Sequence, residues 1–223
     1  MEPSKYPSTP HLPWSESLTN DDKLISTMEI LKNAQEIVVT EKLDGENCNM
    51  YRDYIHARSM NSNYHVSRDY VRAIHAQIAH QIPSTFKIVG ENMYAVHSIN
   101  YSHLPQYFFV FAIFEEDICL PWSEVEEWCS LIEYSVNGKT LQLQTAPVLY
   151  KGKYDEAKIK ACYTGESKFG GKQEGYVVRN TRAFHTRHFD VNVAKFVRAN
   201  HVQPNAQHWM SAPVVPNQLI KDV

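Results

Sequence analysis

Cysteine is scarce and scattered: Cys48, Cys119, Cys129 and Cys162 are the only four, and no two form a C-x-x-C pair. A disulfide framework is excluded, and the four read as small buried residues in a reducing compartment. No apolar run approaches the ~20 residues that a membrane-spanning helix needs. The opening Met1-Glu2-Pro3-Ser4-Lys5-Tyr6-Pro7 lacks a signal-peptide pattern, so a soluble, cytoplasmic protein with no membrane partner is expected. Internal repeats, coiled-coil heptads and low-complexity tracts are missing too. So is an excess of positive charge: the net charge is −3 over 223 residues, which by itself argues against a nucleic-acid partner. Its distribution argues the other way. Residues 1–150 hold 10 Lys/Arg against 19 Asp/Glu, whereas residues 151–200 hold 11 against 5. A basic third can hold phosphates while the acidic part binds metal.

With 43% hydrophobic residues, the chain can bury one large core. Residues 1–18, rich in Pro and Ser with Tyr6 and Trp14, suggest an extended arm laid over the domain. Asn20 or Asp21 is a fair N-cap for a helix carrying Leu24, Ile25, Met28, Ile30 and Leu31. The β-branched run Glu36-Ile37-Val38-Val39-Thr40 predicts a strand. It delivers Glu41-Lys42-Leu43-Asp44-Gly45-Glu46-Asn47 at its end. Further strands are expected at 48–51, 54–58, 86–91, 107–115, 174–179 and 191–197. Helices are expected at 68–82, at 121–134 with Ser123 as a possible cap, and at 155–163. Strands interspersed with a few helices, without regular βαβ alternation, mean α+β with antiparallel sheets.

Charged residues sit on or beside apolar strands: Lys42, Asp44, Arg58, Glu91, Glu174, Arg179, Lys195 and Arg198. A charge pointed inward from a strand must meet a partner or a ligand. Carboxylates Glu91 and Glu174 suit Mg²⁺, which keeps several waters and bridges to phosphate. Arg58, Arg179 and Lys195 suit the phosphate oxygens themselves. A lysine becomes a nucleophile only on losing its proton, which acidic neighbours oppose unless a metal offsets them. A strand-end lysine, a hydrated cation and a cationic cradle together point to nucleotidyl transfer.

These residues fall in motifs. The chain resembles the ATP-dependent RNA ligases of the covalent nucleotidyltransferase superfamily, which also holds DNA ligases and mRNA capping enzymes. Lys42-Leu43-Asp44-Gly45 is similar to the first motif, K-x-D-G, with Asn47 the asparagine of RNA-ligase versions. Arg58-Ser59 resembles the next, and Gly90-Glu91 followed by Met93-Tyr94-Ala95-Val96-His97-Ser98-Ile99 the third. Phe109-Val110-Phe111 resembles the strand whose aromatic stacks on the base, with Phe111 the better candidate. Glu174-Gly175-Tyr176-Val177-Val178-Arg179 resembles the fourth motif and Ala194-Lys195-Phe196-Val197-Arg198 the fifth. Relatives often carry two lysines at alternate positions of the fifth motif; here Val193 and Val197 flank Lys195 alone.

The resemblance implies a nucleotidyltransferase (ATP-grasp-like) domain over 21–200, an arm over 1–20, a tail over 201–223 and no OB-fold domain. It implies ATP and Mg²⁺ as cofactors, with Mn²⁺ an alternative, and a monomer acting on RNA with 5′-phosphate and 3′-hydroxyl ends. Lys42, Asp44, Glu91, Glu174 and Lys195 would be catalytic. Glu41, Asn47, Arg58, Phe111 and Arg179 would join Lys42, Glu91, Glu174 and Lys195 around the nucleotide. Asp44, Glu91 and Glu174 would hold the metal largely through water. A DNA ligase, a GTP-dependent capping-type enzyme and an inactive RNA-binding module of the same fold are the alternatives. His185-x-x-His188 reads as two loop histidines rather than zinc ligands. His97 and Tyr101 can touch substrate or serve as hydrogen-bonded supports. Trp14, Tyr51, Trp122, Trp128 and Trp209 read as core or arm-docking residues.

Overall fold

A computed structural model describes residues 1–19, 21–61, 63–199 and 213–220. In chain order its elements are α1 (Glu29–Lys32), β1 (Ile37–Lys42), β2 (Glu46–Met50), β3 (Ile55–Ala57), α2 (Asp69–Ile78), β4 (Phe86–Asn92) and β5 (Phe108–Glu115). There follow β6 (Ile118–Cys119), α3 (Trp122–Leu131), β7 (Glu133–Val136), β8 (Lys139–Gln142), β9 (Gln144–Thr145), β10 (Val148–Gly152) and α4 (Glu156–Ala161). The last are β11 (Gly175–Asn180), β12 (Phe184–His185), α5 (Phe189–Asn192) and β13 (Val193–Val197). The expected α+β architecture of antiparallel sheets is what the chain adopts: one sheet runs β10-β1-β11-β13, a larger one β12-β6-β5-β4-β2-β3 with β9 beside β5, and β7-β8 form a separate pair. Among the strand pairs of the described residues, β5–β9 alone is parallel.

Period-2 alternation decides which residues meet. Ile37 and Val39 of β1 face outward to a core with Leu31, Ile159, Tyr176 and Val178, whereas Val38 joins the core of the larger sheet. That larger core lies where the apolar stripes of α2 (Val71, Ile74, Ile78) and α3 (Trp122, Val125) cover Met50, Ile88, Phe108 and Val110. Each such buried side chain contributes about 1.5–3 kcal/mol. Val177 and Val193 of the four-stranded sheet pack with Val89, Ala112 and Phe114 of the other to close the seam between them. Across that seam the chain passes only three residues, Leu43 to Gly45, between β1 and β2.

Several expected details come out otherwise. The helix expected from Leu24 is confined to Glu29–Lys32. Leu24 instead forms a bridge with His11, and Asn20, its alternative cap, lies outside the described residues, as do Trp209 and most of the tail. Ser123 sits inside α3, whose N-cap is Pro121 with no side-chain cap bond. By contrast the Asp155 carboxylate caps α4, accepting from Lys158 N at 3.1 Å. The β7–β8 hairpin has no counterpart among the expected strands, although Asn137 and Gly138 hold the two positive φ angles (50° and 79°) that a tight hairpin turn requires.

The N-terminal residues lie along the domain. Lys195 N donates to Pro10 O at 2.9 Å and Leu12 N to Lys195 O at 2.8 Å, so the arm pairs with β13. Tyr6 packs edge-on against Phe111 and Phe189, each at 5.1 Å. Beneath the arm Lys87 is 2% exposed, donates to Ser4 Oγ at 2.9 Å and lies 4.6 Å from the Phe114 ring centre. Burial lowers its ammonium to about 8. The folded state therefore binds fewer protons than the unfolded one between about pH 8 and the ordinary lysine value, and stability should rise with pH across that window. Lys87→Met is expected to stabilise the protein by about 1–3 kcal/mol at pH 7. That gain should shrink above pH 8, as urea unfolding at several pH values would register.

Candidate active site

A cleft of about 1110 Å³ opens at the seam of the two sheets, walled by Lys42, Glu41, Asn47, Arg58, Glu91, Phe111, Arg179 and Lys195 among others. Eight residues spread over 154 positions of sequence are thus brought to one cavity. The register explains the gathering. In the four-stranded sheet Lys42 pairs with Gly175 and Val177 with Lys195; in the other Asn47 pairs with Glu91. Gly175 is obligatory, because a Cβ there would lie 1.9 Å from Phe196 O. Gly45 is required by close approach too: its Cβ would meet Asn92 O at 2.5 Å.

Lys42 is the centre of the arrangement. Its Nζ donates to Glu174 Oε1 at 2.5 Å, with the lysine side chain 28% exposed and the glutamate side chain 4%. Burial pulls the amine's pKa down, but Glu174, Glu91 and Asp44 together outweigh it and hold the ammonium above its ordinary value. The strand thus brings the amine to Glu174, and its acidic surroundings keep it charged. Glu91 is half-buried at the cleft wall; loss of solvation, with Glu174 and Asp44 adding to it against Lys42, pushes its carboxyl up to about 8.

Asp44 does two things. Its Oδ2 accepts from Ser98 N (2.9 Å), Ser98 Oγ (2.7 Å) and Ile99 N (2.9 Å), while its own N–H donates to Tyr101 Oη at 2.9 Å. It therefore pins the 98–101 turn against the strand end. Tyr101, fully buried, has a supporting role, whereas His97 lines the cleft. Among the described residues no three His, Cys, Asp or Glu side chains converge as direct metal ligands. The acid-rich surroundings of Lys42 nevertheless fit a divalent ion that keeps its waters, the habit of Mg²⁺.

The remaining residues differ in what occupies them. Arg58 is exposed and its Nη2 donates to Ser8 Oγ of the arm at 3.3 Å. Asn47 Oδ1 accepts from Asn49 Nδ2 at 2.8 Å. Phe111 lines the cleft while Phe109 is fully buried against Phe169. Arg179 reaches the wall, but its donors turn to Leu120 O (2.8 Å) and Asn180 O (3.2 Å), between the rings of Trp122 and Phe184. Glu41 is 2% exposed; one oxygen accepts from Lys168 N at 3.0 Å, and Oε1 has no partner among the described residues. His185 Nδ1 accepts from Arg187 N at 3.2 Å, and His188 Nε2 lies 3.1 Å from Arg187 Nε.

Two supports went unseen in the sequence. Asp22 lies at the cleft beside Lys195. Asn217, 2% exposed, donates to Met93 O (2.8 Å) and Ala95 O (3.2 Å) and accepts from Tyr101 N (2.8 Å). It clamps the loop that holds Asp44. No motif marks it, since it stands in a short Pro- and Val-containing segment far along the chain from the loop it clamps. Asn217→Ala leaves three backbone groups unsatisfied and is expected to cost about 3 kcal/mol in urea unfolding.

A lysine at a strand end between two antiparallel sheets, set among buried acids and a second lysine, is the arrangement of the nucleotidyltransferase class. A family model for RNA ligases matches residues 35–197, and the chain belongs to that family. No curated relative matches it in sequence. Solved structures of a Naegleria gruberi RNA ligase share the fold. An apo point mutant superposes with a TM-score of 0.55 at 19% identity, covering 89% of this chain and 61% of that one. A second mutant with ATP and Mn gives 0.54 at 18%, with the same coverage. The enzyme with PPi gives 0.54 at 18%, covering 88% and 61%. This chain thus spans about 61% of the length of those proteins.

Proposed function

We propose that the chain is an ATP-dependent RNA ligase working through a lysyl-AMP intermediate. The observation that carries this is the Lys42 amine, bonded to Glu174 and walled into a cleft with Glu91, Arg58 and Lys195. Once bound metal has offset the acids and the Lys42 ammonium has lost a proton to solvent, Nζ attacks the α-phosphorus of ATP; a nitrogen–phosphorus bond forms, the bond to the bridging oxygen breaks and pyrophosphate leaves. The adenylate passes to an RNA 5′-phosphate, and an RNA 3′-hydroxyl displaces AMP as the strand is sealed. Glu174 aims the amine and Lys195 and Arg58 face the phosphates, where fixed cations stabilise the charge that builds up. Phe111 offers its face to the base, while Arg179 braces the wall from behind. Asp44, Glu91 and Glu174 would hold Mg²⁺ or Mn²⁺ through its waters; such an ion offsets the acids around Lys42 and the charge of the triphosphate.

Glu41 favours ATP over GTP. Its unpartnered, buried Oε1 needs a donor, and adenine offers an amino group where guanine offers a carbonyl. We further assign catalysis to one domain over 21–200, served by an arm (1–20) and a tail (201–223), acting as a monomer on RNA with 5′-phosphate and 3′-hydroxyl ends. The test is incubation with α-labelled ATP or GTP and Mg²⁺, followed by a chase with 5′-phosphorylated RNAs. Covalent label from ATP, moved to RNA ends and released on sealing, is expected. Label from GTP alone, or none from either, would refute the reading.

A further inference from the structure

Lys195 is the single lysine of its strand segment, flanked by Val193 and Val197, so one ammonium must do what two could share. It does not stand alone. Asp22 Oδ1 lies 3.4 Å from Lys195 Nζ and 3.1 Å from His11 Nε2. The other oxygen, Oδ2, accepts from Thr19 N at 3.0 Å and Thr19 Oγ1 at 2.9 Å. His11 is fixed in turn: 1% exposed, it has its Nδ1 2.7 Å from Ser15 Oγ, which accepts from Val197 N at 3.0 Å. The arm and β13 are also joined backbone to backbone at Lys195. Asp22 and Lys195 both face the cleft, their side chains 27% and 20% exposed.

A carboxylate at the wall of a cleft meant for a polyphosphate repels the ligand it borders. Its presence needs an offsetting benefit, and the geometry supplies one. We propose that Asp22 is a positioning residue, backed by His11, that holds the Lys195 ammonium against the cleft wall until a polyphosphate takes the ammonium over. The assignment rests on the ligase reading only for what the polyphosphate is, namely the tail of ATP. Burial would raise the Asp22 carboxyl, but the Thr19 hydrogen bonds, Lys195 and His11 hold it well below the ordinary carboxylate range, so the charge is in place at neutral pH. Freed of Asp22, Lys195 would grip phosphate in the ground state and hold it less well aligned for attack by Lys42.

The probe is inorganic tripolyphosphate, its affinity measured by calorimetry on the full chain. Asp22→Asn keeps an acceptor for Thr19 and is expected to bind it about fivefold tighter. In a Lys195→Ala background the same substitution should gain at most about twofold, since only the field of the carboxylate on the anion is then removed. Equal gains in both backgrounds, or no gain in either, would overturn the proposal. Asp22→Ser, which also leaves an oxygen for Thr19, is the second variant should the first fold poorly. With ATP, Asp22→Asn should lower the half-saturating concentration and slow adenylylation together, a split that a merely structural role would not produce. A wild-type chain that took no label from ATP would defeat the ligase reading, while the tripolyphosphate comparison would still decide the part played by Asp22.

Discussion

Lys42→Ala should take no covalent label from ATP under any concentration of nucleotide or metal, because alanine offers no amine to form the nitrogen–phosphorus bond. The sharper variant is Lys42→Arg. It keeps a cation against the buried Glu174, which Lys42 contacts at 2.5 Å, and so avoids leaving that acid without its partner. A guanidinium is not deprotonated in proteins and cannot attack phosphorus. Arginine should therefore preserve the melting temperature to within a few degrees while labelling falls below detection, a loss of at least about 10³-fold. Residual label at a tenth of the wild-type rate would place the nucleophile elsewhere.

Gly175→Ala should strike the fold and the chemistry at once. Gly175 lies between Lys42 on β1 and Val197 on β13, and its added methyl would sit 1.9 Å from Phe196 O and 3.2 Å from Val197 Cα. Both contacts are with backbone, so no rotamer change relieves them. β11 and β13 must separate, which breaks ladder hydrogen bonds beside Lys42 and shifts Lys195 on the neighbouring strand. A cost of at least about 3 kcal/mol is expected. The measurement is the urea midpoint, with soluble yield as the first sign. A midpoint within experimental scatter of wild type would mean that the strands are not packed as tightly as they stand here.

How much of this was legible in the sequence depended on where the information lay. The strands at 37–42, 86–92 and 108–115 announce themselves because their apolar runs are buried on both faces. The β7–β8 hairpin does not: Glu133, Ser135, Lys139, Thr140 and Gln142 are exposed, so hydrophobic periodicity is faint there and only Asn137-Gly138 speaks for the turn. The helix sought from Leu24 fails for a tertiary reason. His11 takes the backbone of that segment, with Ile25 N donating to His11 O at 2.8 Å, and such a contact leaves no local mark. The site divides the same way. Lys42, Glu91 and Lys195 stand in compact motifs whose strands carry them to the cleft, and Glu174, one residue ahead of β11, meets Lys42 there. Asp22, Asn217 and Tyr6 reach it from the chain's outer stretches, and their partners lie as far away as 173 residues for Asp22 and Lys195. Arg179 gives the opposite lesson: a cation in a motif can spend its donors on carbonyls of the scaffold.

The three-residue passage from β1 to β2 has one more implication. Lys42, Glu174 and Lys195 ride on one sheet, Asn47, Glu91 and Phe111 on the other, and apolar side chains such as Val89, Val177 and Val193 keep the two in step. A slip of one sheet past its neighbour, too small to disturb either ladder, would already misalign amine and acid. Mild urea or warmth should accordingly lower covalent labelling by ATP while the far-ultraviolet circular dichroism is still intact, the seam yielding before either ladder.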